Sequence, residues 1–338
     1  MPTALRLGSG ALALLALASL DDPPPAPQNG VAIEGSSRPG LLQQDPRDWL
    51  PPDEMLRFGV EVTLGPVRGL DVGSVTMRSV LVPDTGESAV EASAESGDSR
   101  RLIGTIETLA KGGYLGYEVV HSYAVRWYVG NRPRIEQVEK LRGSRTRTHE
   151  LRLGEGGGRW QLEYRRDRHC KGCDDRAHFV KGAMPWSGRK HCKDCERPEH
   201  HVWKPYQYLD VPCDAVDILS ALYLARGFLR SEASEATLHL VNQDELWAVR
   251  LARGETREIE TEAGTFDCVR VLIGPQLAAG DALGEQANKR FEALFGLHGN
   301  MSVWVDRKGA FPVRIEGSAP FGPFDVAIKA TLTQRQGR

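Results

Sequence analysis

The chain has 338 residues, with 43 Lys and Arg against 45 Asp and Glu, a formal net charge of −2 and a pI near 6.5. That near balance gives no overall pull toward nucleic acid or an anionic membrane, so neither is expected as a partner. Past a short N-terminal run, no stretch approaches the roughly 20 apolar residues of a membrane-spanning helix.

Arg6, the apolar stretch from Ala11 to Leu20, and the small residues Ala16 and Ala18 form the pattern of a cleavable export signal over residues 1–20. The mature chain is expected to begin near Ser19 and to lie outside the cytoplasm, in the periplasm or cell envelope. No Cys follows the run, so a lipid anchor has no acceptor there. Residues 21–53 are rich in Pro, Gly, Gln and Asp without an apolar period, which is the composition of a poorly ordered tether. Residues 54–338 can bury a substantial core as a single β-rich domain.

That domain opens on alternation. Leu56, Phe58, Val60 and Val62 interleave with Arg57, Gly59, Glu61 and Thr63, and a Gly65-Pro66 turn leads to a second run from Val72 to Val82. Strand-like runs follow at Tyr117 to Val129 and Trp160 to Tyr164. The glycines from Gly154 to Gly158 precede no helix carrying a Lys, so they are read as a hairpin loop and not as a phosphate cradle.

Residues 165–205 form an insert of different character. Cys170 and Cys173 make one Cys-x2-Cys pair and Cys192 and Cys195 another, with 18 residues between them, close to the spacing of a zinc site. The flanks repeat too: both pairs sit in the form basic-His-Cys-Lys-x-Cys-acidic-x3-His. Two equivalent turns supplying two thiolates each predict one structural Zn2+ held by Cys170, Cys173, Cys192 and Cys195. Four thiolates around Zn2+ leave two negative charges, and the eleven Lys and Arg against six Asp and Glu between Arg165 and Lys204 suit that excess. Nearby His169, His178, His191, His200 and His201 offer substitute ligands, and disulfide pairing remains the alternative in an exported protein. Neither turn opens a helix that would lower a thiol pKa, which argues against a redox dithiol. Covalent haem requires His after the second Cys, where this chain has Asp174 and Glu196.

Downstream, Ala215, Ile218, Leu219, Leu222 and Ala225 recur at helical spacing behind Asp214 as N-cap, with Gly227 as the stop. Their apolar face is expected against the concave side of the sheet. Strand-like runs resume at Ala236 to Leu251, Cys268 to Ile273, Met301 to Val305, Val313 to Ile315 and Phe324 to Leu332, with a weaker helical pattern from Gly284 to Phe295. Cys213 and Cys268 are read as small buried residues, with a disulfide between them as the alternative. The expected fold is mainly β: a strongly curved or partly closed antiparallel sheet packed around one helix, with a small zinc-ribbon-like insert.

Several short segments, in order, resemble a bacterial family of exported proteins, the domain of unknown function 3108 family. They are Leu56-Arg57-Phe58 through Gly73, Asp217 to Arg226, Glu262-Ala-Gly264-Thr-Phe266, and Val303-Trp304-Val305 with Pro312 to Ile315. The resemblance implies an antiparallel β fold outside the cytoplasm, similar to periplasmic carriers in which a sheet wraps a helix. It implies no reaction, and what it suggests need not cover the cysteine insert. No Gly-x-Ser-x-Gly or His-Glu-x-x-His motif occurs. The function expected is that of a non-enzymatic envelope protein binding or presenting an apolar or extended ligand. The alternative is a zinc-dependent or thiol/disulfide redox enzyme of the periplasm.

Overall fold

The computed structural model describes residues 49–83, 102–114, 117–129, 134–142, 147–156, 159–170, 201–203, 207–231, 233–276, 291, 293–321 and 324–337. In chain order the elements are β1 (Asp53–Leu64), β2 (Val67–Pro83), β3 (Leu102–Tyr114), β4 (Tyr117–Val129), β5 (Arg134–Arg142), β6 (Arg147–Gly156), β7 (Arg159–Cys170) and β8 (His201–Trp203). Then come β9 (Gln207–Asp210), β10 (Val216–Asp217), the helix α1 (Ile218–Arg230), β11 (Glu235–Asn242), β12 (Glu245–Thr261) and β13 (Gly264–Pro275). The 3-10 turn Leu294–Gly296 precedes β14 (His298–Asp306), β15 (Pro312–Phe321) and β16 (Phe324–Gly337). The export signal and nearly all of the tether lie outside the described residues.

All strands join one sheet in the order β10-β11-β12-β13-β14-β15-β16-β1-β2-β3-β4-β5-β6-β7-β8, with β9 also on β7. Every neighbour pair is antiparallel except β10–β11. The terminal strands β1 and β16 pair in the middle of the order, so the sheet is a meander wound onto itself and left open between β8 and β10. Chain length forces the curl. Thirteen strand spacings separate β7 from β10 along the sheet, about 60 Å if it were flat. Yet β9 ends at Asp210 and β10 begins at Val216, six residue steps that span at most about 20 Å. Register shifts at Arg57/Phe58 and Val60/Glu61 in β1 and at Arg253/Thr256 in β12 supply bends.

Alternation decides the faces. Leu56 and Phe58 of β1, Met77 of β2, Ile106 of β3, Val125 and Trp127 of β4 and Ile135 of β5 point inward and are fully buried. The outer face of β5 to β7 carries ion pairs, Arg152 to Glu136 and Arg165 to Glu150 among them. Inside the curl lies α1, with every residue from Ile218 to Arg226 buried. A helix buried all round is a core element and not an amphipathic cover. Its N-cap is Asp217, whose Oδ1 accepts from the backbone N–H of Leu219 (2.9 Å) and Ser220 (3.0 Å).

This corrects the expected start at Asp214. Val216 and Asp217 first pair with Leu240 and Val241 of β11, which holds the chain extended until Asp217, while Asp214 bonds His239 instead. Gly227 does not stop the helix, which runs on beside Trp49 to a C-cap at Ser231. There Arg253 of β12 donates to the carbonyls of Leu229 and Ser231. The run Ala236 to Leu251 is two strands. Gln243, at φ 56, turns the chain between Asn242 and Glu245. The weak helical pattern from Gly284 to Phe295 falls mostly outside the described residues, and its end is a 3-10 turn with Phe295 at φ 60.

Candidate functional site

Two groups of buried polar side chains stand out in the described interior. The first is a stripe on α1 formed by Asp217, Ser220, Tyr223 and Arg226, at most 4% exposed. The members sit three residues apart, and a spacing of three on a helix with 3.6 residues per turn drifts steadily around the axis. Each therefore reaches a different part of the wall. Ser220 Oγ donates to the Asp217 carboxylate and accepts from Trp127 Nε1 of β4 at 2.9 Å. Arg226 donates from Nη2 to Oε1 of Glu54 of β1 at 3.0 Å, its Nη1 lies 2.8 Å from Oε2 as an ion pair without hydrogen-bond geometry, and its Nε donates to the carbonyl of Ala310. Arg335 of β16 approaches the same carboxylate at 3.5 Å. Burial pushes the Asp217 carboxyl above its usual range, against the pull of its hydrogen bonds to Ser220 and Leu219.

The second group spans three neighbouring strands. Glu139 of β5 sits between His121 of β4, whose Nε2 is 2.8 Å from Oε1, and His149 of β6, whose Nδ1 is 3.2 Å from Oε2. All three residues are 5–6% exposed. His149 packs edge-on against Tyr164, and Phe295, reaching across from the β13–β14 connection, packs edge-on against His121 and Tyr123. Burial works to raise the Glu139 carboxyl, but hydrogen bonds and charge from the two imidazoles outweigh it and hold it well below the carboxylate range.

The stripe ties its polar atoms to structural partners, and the two imidazoles occupy opposite oxygens of one carboxylate. Among the described residues no group of three or more His, Cys, Asp or Glu side chains is placed to hold a metal ion. The sequence did not single out these residues because β5 and β6 escape a reading based on apolar alternation. Their inward positions carry Gln137, Glu139 and His149 where apolar residues are expected, and that substitution is the trace they leave.

Of the cysteines expected to bind zinc, Cys173, Cys192 and Cys195 lie outside the described residues. Cys170 is described for its backbone only: it ends β7 and pairs with His201, the first residue of β8. That pairing sets the residues on either side of 171–200 next to each other in the sheet. Cys213 and Cys268 are both free, Cys213 exposed and Cys268 buried, so the disulfide alternative fails and Cys213 is not the buried residue expected. Burial pushes the Cys268 thiol up to about 12, which leaves it inert.

Residues 193–333 match a family described as a protein of unknown function, DUF3108. The match supports the resemblance for the segments from Asp217 to Ile315, does not reach the opening hairpin from Leu56 to Gly73, and begins within the cysteine segment, at Lys193. A crystal structure of a beta-barrel-like protein of domain of unknown function DUF1849 from Brucella abortus is 7% identical, with a TM-score of 0.47, over 85% of this chain and 98% of that one. A candidate lipoprotein from Parabacteroides distasonis is 10% identical, with a TM-score of 0.25, over the same shares. Both likenesses are too weak to establish a common fold. No curated protein matches the chain. No helix among the described residues is long and apolar enough to cross a membrane.

Proposed function

We propose that this chain is an exported, non-enzymatic protein of the cell envelope. In this reading its curved sheet binds or presents an apolar or extended ligand, and a structural zinc ion on Cys170, Cys173, Cys192 and Cys195 staples the segment between β7 and β8. The observation that carries the reading is the backbone pairing of Cys170 with His201. It sets the two ends of that segment side by side, and adjacent ends suit two repeated cysteine pairs converging on one ion. A shell of four thiolates has no open position for substrate, so the metal would order the segment and not act on a ligand. A non-catalytic role also accords with the interior polar groups, whose hydrogen bonds and ion pairs tie α1 and the strands together.

The test is metal content and thiol count on the full-length protein purified from an extracytoplasmic fraction. One zinc per chain is expected, with four thiols that resist alkylation until a chelator is added, because thiolate ligation couples metal to local order. Two reducible disulfides and no metal would overturn the zinc reading and favour the thiol/disulfide alternative. For the ligand, solvent extraction of the same preparation followed by mass spectrometry should recover a stoichiometric apolar species or peptide. An empty extract counts against a carrier.

A further inference from the structure

We draw no further inference here: the strongest candidate, the His121–Glu139–His149 cluster buried at the inner face of β4, β5 and β6 beneath Phe295, carries nothing because its imidazoles take opposite oxygens of one carboxylate and converge on no point a metal or ligand could occupy.

Discussion

Glu54 and Arg226 lie 172 positions apart and are both nearly inaccessible. A buried ion pair of this kind adds little net stability over an apolar pair, but removing one partner strands a charge. Glu54→Ala is therefore expected to cost about 3–5 kcal/mol in urea unfolding, because among the described residues Arg226 then keeps the carbonyl of Ala310 and the ring of Tyr223 but no carboxylate. A loss below about 1 kcal/mol would show that water reaches the guanidinium. Glu139 gives a different signature. Its carboxyl is depressed in the folded state, so its contribution is present above the ordinary value of 4.5 and is lost as pH falls through and below it. Unfolding midpoints compared at pH 7 and pH 4 should fall less in Glu139→Gln than in the unsubstituted protein. Asp214, depressed by its hydrogen bond from His239, leaves some acid sensitivity in both. An equal fall in the two proteins would move the acid sensitivity away from this cluster.

At the scale of elements, the helix is the test of packing. Leu219 is fully buried on a helix enclosed by sheet, so Leu219→Ala should destabilise by about 2–5 kcal/mol, with the upper end expected where the surrounding strands are unable to collapse into the space. A change under about half a kcal/mol would mean that α1 does not sit in the core. The start of this helix was legible as a polar residue ahead of an apolar period, but Asp214 and Asp217 both fit that pattern. The choice fell to β11, whose pairing holds Val216 and Asp217 extended, so that the helix begins only after Asp217. Gly227 likewise reads as a stop, yet Arg253 supplies the C-terminal carbonyls with a donor from another strand and the helix continues.

Across the whole molecule, β1 pairs with β16 and α1 is bonded to β1, to β4 and to the β14–β15 connection. Both halves of the sheet therefore share one core, and urea unfolding followed by tryptophan fluorescence and by far-ultraviolet dichroism should trace one coincident transition. Two separated transitions would show that the halves fold independently. Alternation alone determined the β class, the opening hairpin, the exact span of β4 and the presence of one buried helix, because a period of 2 or 3.6 is written locally. Cysteine spacing likewise raised the zinc expectation without any fold. Only the tertiary structure decided that β1 meets β16, that β3, β5 and β6 are strands despite Thr108, Gln137, Glu139 and His149 on their inner faces, and which acidic residue caps the helix. Those outcomes rest on partners far away in sequence: a buried Glu becomes acceptable only when two histidines on neighbouring strands reach it, and local pattern carries no record of that meeting.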